Sequence, residues 1–146
     1  GGGGGGGGGG DSLGGGGGAA NVTGDLPFVV TPLGTYTVTI GLGGAPGGAG
    51  SLGSPGGNTT FGTFTAYGGS PGYGNYTGQG GLAGTSSISG VSFLSSAGTA
   101  STAYGVSTGG SCLYGSGNSG TASTGYGSGG AGGYSGRGGF CTIKWY

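Results

Sequence analysis

The chain has 146 residues, of which 52 are glycine and only four carry charge: Asp11, Asp25, Arg137 and Lys144. It has no histidine, a net charge of zero, and no apolar run near the roughly 20 residues that a membrane helix needs. Acid–base catalysis, phosphate or anionic-lipid partners and membrane insertion are therefore not expected.

Glycine loses more backbone entropy on ordering than any other residue, and a chain this rich in it invites a reading as disorder. Disordered chains, however, are usually charged and poor in aromatic residues. This one carries nine Tyr, five Phe and one Trp on an almost neutral background. It is expected to pack or assemble, as one glycine-rich domain over residues 1–146. It opens on ten glycines rather than Met, as a piece of a longer or processed chain would.

Residues 1–20 are nearly pure glycine, interrupted by Asp11, Ser12 and Leu13. Leu26 to Leu33 reads as a short strand bracketed by Pro27 and Pro32, which favours an edge position. Thr35 to Ile40 is entirely β-branched or aromatic, and predicts a strand with Thr35, Thr37 and Thr39 on one face and Tyr36, Val38 and Ile40 on the other.

Residues 41–58 then keep a period of three with one slip: Gly43-Gly44-Ala45, an extra Pro46, and four further triplets ending at Asn58. Residues 129–140 repeat it as Gly-Gly-Ala131, Gly-Gly-Tyr134, Ser-Gly-Arg137 and Gly-Gly-Phe140. Neither a helix nor a strand has that period. The extended left-handed polyproline II type of helix does, and its unpaired amides and carbonyls must bond laterally. Collagen is disfavoured, because there are only five prolines and the triplets are broken.

Phe61 to Tyr67 reads as another strand, and Ile88, Val91, Phe93 and Leu94 form the most apolar internal patch. Residues 68–128 are otherwise rich in Gly, Ser, Thr and Tyr and are expected to form a loop-rich, variable region within the domain. Phe140 to Tyr146 predicts a half-buried final strand, with Cys141, Ile143 and Trp145 sharing a face. No stretch has helical spacing. The expected fold class is all-β and irregular: short antiparallel strands plus packed polyglycine II helices, with no α-helix.

The order Leu33-Gly34-Thr35-Tyr36-Thr37-Val38-Thr39-Ile40-Gly41, then Gly43-Gly44-Ala45, Gly56-Gly57-Asn58-Thr59-Thr60-Phe61-Gly62 and Thr65-Ala66-Tyr67-Gly68-Gly69, with a strand after glycine triplets at the end, is specific. It resembles the glycine-rich C-terminal domain of bacteriophage tail fibre and tail-tip proteins. In that family a "TYTVTIG-GG" strand precedes glycine tracts and an apolar strand closes the chain. The resemblance covers roughly residues 1–70 and 129–146. Cys141, Lys144 and Trp145 depart from the family's Ile/Val-rich last strand. The resemblance implies stacked polyglycine II helices and loops at a tip that bind a bacterial surface receptor. It also implies a trimeric setting and a place on the virion, outside the cell.

Chemical motifs are sparse. With no histidine partner for Cys112 or Cys141, and only two distant aspartates, an enzyme is not expected. Gly115-Ser-Gly117-Asn-Ser-Gly120 matches a GxGxxG spacing, but with 52 glycines chance supplies it and no strand–helix unit surrounds it. Arg137-Gly138-Gly139 is a single RGG unit without basic surroundings. Three Asn-x-Thr sequons begin at Asn21, Asn58 and Asn75. No cofactor, metal or nucleic acid is expected. A Cys112–Cys141 disulfide would add about 3–4 kcal/mol on the chain-entropy estimate; the alternative is two buried thiols.

Tyr73, Tyr76, Tyr104, Tyr114 and Tyr126 sit among Gly, Ser and amides, with Asn75 and Gln79 nearby. That mixture suits binding loops, where tyrosine offers contact area at low entropy cost. The competing role is to plug gaps between glycine segments. The leading functional expectation is a phage adhesin that binds an outer-membrane protein or glycan non-covalently through these residues. A purely structural extracellular or cell-wall fibre is the alternative. Ice binding by a Thr35, Thr37, Thr39, Thr63 and Thr65 array is the third.

Overall fold

The computed structural model describes residues 2–3, 7–8, 15–48, 50–74, 92–93, 107–119 and 121–146. Among these there is no helix, and nine short strands form three antiparallel sheets. The first has order β6 (Ser92–Phe93), β2 (Val22–Thr23), β1 (Gly2–Gly3) and β9 (Phe140–Cys141). The second has order β3 (Val38–Thr39), β4 (Thr59–Phe61) and β5 (Phe64–Ala66). The third pairs β7 (Gly115–Ser116) with β8 (Thr124–Gly125). The chain is all-β and irregular.

The strands are the ends of a larger object, a bundle of extended segments bonded laterally through their backbones. At its centre lie Gly2, Gly3, Gly7 and Gly8. The Gly7 amide donates to Gly18, in the register that pairs Gly2 with Thr23, and Gly2 also pairs with Cys141. Gly8 donates to Ser54, while Gly72 and Gly130 donate to the carbonyls of Gly8 and Gly7. A Cβ on Gly8 would strike the Ala45 carbonyl. Six segments, 15–23, 67–73, 53–57, 41–45, 136–141 and 127–131, therefore surround one.

Those six also bond to one another in a closed ring. Gly15 and Gly18 donate to Tyr73 and Ser70; Gly53 and Gly56 to Gly72 and Gly69; Ser54 and Gly57 to Ala45 and Leu42. Gly136 and Gly139 donate to Gly44 and Gly41, Gly127 to Gly138, and Gly17 and Ala20 to Gly130 and Gly127. Donors three residues apart meet acceptors three residues apart, running the opposite way. Each ring neighbour is thus antiparallel, which an even-numbered ring permits all round. A further segment, 107–110, lies against 15–23 and 127–131, with Gly110 donating to Gly17 and Gly129 to Gly110.

Only glycine permits this spacing at the centre. A Cβ on Gly7, Gly8, Gly17, Gly44, Gly69 or Gly129 would fall on a neighbouring backbone carbonyl. The fully buried apolar side chains are correspondingly tiny, namely Ala19, Ala20, Val22 and Ala131. Backbone hydrogen bonding, rather than an apolar core, fills the interior.

The structure corrects several sequence expectations. Each triplet run is two antiparallel segments rather than one continuous rod. The 41–58 run turns shortly after its slip, where Ser51 donates to Gly48 at 2.9 Å and Gly50 has φ 68°. The 129–140 run turns where Tyr134 donates to Ala131. Residues 61–67 are not one strand: Gly62 (φ 56°) and Thr63 make a two-residue turn between β4 and β5. Leu26 to Leu33 is not a strand but an arm ending in a turn at Leu33, whose φ is 64°. The predicted strands 35–40 and 140–146 shrink to Val38–Thr39 and Phe140–Cys141. Of the apolar patch 88–95 only the backbone of β6 is described, paired with β2. Bundle segments enter the expected loop-rich region 68–128 at both of its ends.

Candidate binding cleft

The bundle's registers define two ends. Gly2, Thr23, Asn58, Tyr67, Gly127 and Cys141 lie toward one, and Gly8, Gly15, Ala45, Gly53, Tyr73 and Gly136 toward the other. Among the described residues, side chains collect at the first end, where the chain leaves the lattice in the 24–36 arm, the β4–β5 hairpin, the β7–β8 hairpin and the tail after Cys141.

Phe28 is the hub of this cap. Its ring stands 5.2 Å from Tyr36, 4.8 Å from Phe61 and 5.7 Å from Phe64. The sheet register brings the last two together, since Val38 pairs with Phe61 and Phe61 with Phe64. Alternation puts Thr39, Thr60 and Thr65 in a row on the other face. The Thr31 amide donates to the Tyr36 hydroxyl at 2.6 Å, closing the arm's turn and lowering the pKa of that phenol.

Between the arm, the β4–β5 hairpin and the tail lies a cleft of about 370 Å³, lined by Phe28, Phe61, Phe64, Ile143 and Trp145 among others. Trp145 is 74% exposed. The tail is tied to the arm by Lys144, whose Nζ donates to Asp25 Oδ2 at 2.6 Å. This hydrogen bond holds the Asp25 carboxyl below its ordinary range and lifts the Lys144 ammonium above its own. Both groups are exposed, so the pair orients the tail more than it stabilises the fold.

Beyond the ion pair is a second cavity of about 290 Å³, lined by Thr23, Asp25, Leu113, Tyr114, Thr142 and Lys144 among others. Tyr114 reaches it from a tight turn in which Cys112 and Gly115 bond through both amides, at 2.8 and 3.2 Å. Its ring lies 4.9 Å from Phe140, at an interplanar angle of 74°, and Tyr126 lies on the same Phe140 at 5.6 Å. Tyr114 and Tyr126 remain 54% and 58% exposed.

The structure thus divides the residues that sequence nominated for binding. Tyr114 and Tyr126 share Phe140 beside the cleft. Tyr73 is exposed at the opposite end, its carbonyl accepting from Gly15. Asn75, Tyr76, Gln79 and Tyr104 lie outside the described residues. Cys112 and Cys141 are free thiols, not a disulfide. Cys112 Sγ donates to the Tyr126 carbonyl at 3.1 Å, and burial pushes that thiol's pKa up. Of the glycosylation sequons, Asn21 is 3% exposed and Asn58 accepts from the Gly68 amide. Arg137, in the RGG unit, donates from Nε to the Ser123 carbonyl at 2.6 Å and so anchors a loop.

Phe28, Trp145 and the Asp25–Lys144 pair were missed by sequence reasoning. Pro27-Phe28 inside a short apolar stretch was the available signal for the hub. Nothing local ties Asp25 to a residue 119 positions away. Among the described residues no group of His, Cys, Asp or Glu could hold a metal ion, and no helix is long and apolar enough to cross a membrane.

A comparison with curated proteins finds no match. A family model described as a glycine-rich domain matches residues 1–145, and the chain belongs to that family.

Proposed function

We propose that this chain is the tip of a bacteriophage tail fibre, an adhesin that binds a bacterial surface receptor non-covalently through the cleft at one end of its glycine bundle. One observation carries the reading: a bundle interior nearly free of side chains gathers exposed aromatic rings around one cavity system. A pocket that is mostly apolar, with a few placed polar groups, is what ligand sites look like. The recurrence of lateral bonds every three residues supports reading the segments as packed polyglycine II helices, stiff enough to hold a tip in place. The sequence resemblance supplies the virion, the extracellular setting and a trimeric fibre as the context.

Phage particles carrying Trp145→Ala test this. Adsorption to host cells should fall about tenfold or more while thermal unfolding is unchanged, since exposed anchor rings commonly dominate binding energy. Tyr73→Ala, at the other end, should adsorb normally. Normal adsorption by Trp145→Ala with failure by Tyr73→Ala would move the paratope to the opposite end. No adsorption by the unmodified fibre to any bacterium would end the adhesin reading.

The other two expectations draw less from the geometry. The ring of six closes on itself, whereas a material fibre needs an open repeat. Thr39, Thr60 and Thr65 make one row of three, not a flat array.

A further inference from the structure

We infer that the receptor recognised here is a neutral saccharide, with one pyranose seated in the smaller cavity between Tyr114 and the Asp25–Lys144 pair. The inference rests on the adhesin reading above and sharpens it from any surface receptor to a glycan. A pyranose presents an apolar C–H face and a rim of adjacent hydroxyls. Its seat needs an aromatic ring for the face, and an acceptor and a donor side by side for the rim.

The cavity supplies these together. Tyr114 lines one wall, held by the paired amides of the Cys112–Gly115 turn and by the Phe140 ring, so its orientation is set before a ligand arrives. The other wall carries a carboxylate and an ammonium 2.6 Å apart, flanked by Thr23 and Thr142. One sugar hydroxyl can donate to Asp25 while its neighbour accepts from Lys144, both bonds being charge-assisted. The volume of about 290 Å³ stands at the small end of ligand sites, near 300 Å³. It suits a sugar ring better than a peptide segment, whose apolar anchors would take the larger cleft.

Charge argues for a neutral sugar. The Asp25 carboxylate offsets the Lys144 ammonium, and among the described residues no other cationic side chain lines the cavity. The cavity's lining side chains therefore offer no unopposed cation to hold a phosphate or a sugar acid.

The test measures binding of the fluorescently labelled full chain to adsorbing bacteria, after either periodate, which cleaves vicinal diols, or proteinase K. Periodate should abolish binding and proteinase K should leave it intact. Tyr114→Ala should weaken binding about tenfold, Tyr114→Phe should bind normally, and Asp25→Asn should weaken it, all with cooperative unfolding retained and at most a slight fall in melting temperature. Protease-sensitive, periodate-resistant binding would overturn the saccharide while leaving an adhesin for a protein receptor. Full binding by Tyr114→Ala would overturn the seat. No binding to untreated cells would remove the adhesin reading itself.

Discussion

The glycine bundle and the cap at its end are built on opposite principles. In the bundle the side chain is the hazard: six segments approach one because almost nothing projects between them. In the cap the side chain is the structure. Phe28 gathers Tyr36, Phe61 and Phe64, Phe140 gathers Tyr114 and Tyr126, and the backbone between them is largely irregular. The bundle is intolerant of a Cβ at its central glycines, such as Gly7, Gly8 and Gly17. The cap is the reverse, held by contacts between its aromatic rings.

Substitution inside the bundle is the hardest way to break this contrast. Gly8→Val should cost about 3 kcal/mol or more, since overpacking here meets backbone rather than a movable side chain. Against a typical stability of about 5–15 kcal/mol, chemical denaturation should show a large loss or no folded baseline. Gly48→Ala is the control: nothing lies within 4 Å of its Cβ, and stability should hold or rise by up to about 1 kcal/mol. Equal behaviour of the two would mean the lattice is looser than its hydrogen bonds indicate.

In the cap, Phe28→Ala should cost about 2 kcal/mol, less than a fully buried phenylalanine, because Phe28 is only half-buried. The loss should appear as rapid deuterium uptake in β4 and β5, with protection of Gly17, Gly18 and Gly130 unchanged. Loss of protection in both places would show that cap and bundle unfold as one unit.

A smaller effect runs the other way. Leu33 is fully exposed with φ 64°, a conformation costly for a branched residue. Leu33→Gly should therefore gain about 1 kcal/mol in the same denaturation experiment.

The smallest effect is that of the ion pair. The Asp25 pKa is depressed, so its contribution is complete above its unfolded value of about 4 and disappears as pH falls through the lower folded value. The Lys144 pKa is raised, so its contribution is complete below about 10.4 and disappears as pH rises through the higher folded value. Between those limits the melting temperature should be flat. Outside them a slight fall should be reduced by salt and absent in Asp25→Asn.

How much of this was legible depends on the range of the interaction. The period of three in 43–58 and 129–140 was visible, and lateral bonds do recur at that interval. The alternation around Val38 and Thr39 was visible too, because a pleat is local. The reversals inside each triplet run were not read as turns, although Pro46 broke the period just before the first. The cleft was not legible: Phe28, Phe64 and Trp145 meet only once three separate excursions return to one end of the bundle.

Composition and local period alone determined that the described residues form no helix and that backbone hydrogen bonds fill the bundle's interior. They suffice because glycine content and side-chain spacing act on each residue and its nearest neighbours. Tertiary structure decided which segment lies at the centre, that Tyr73 and Tyr114 face opposite ends, and that Asp25 finds Lys144. Glycine segments carry no side chains to encode their partners, so only the closing of the whole ring sets the register in which the informative residues meet.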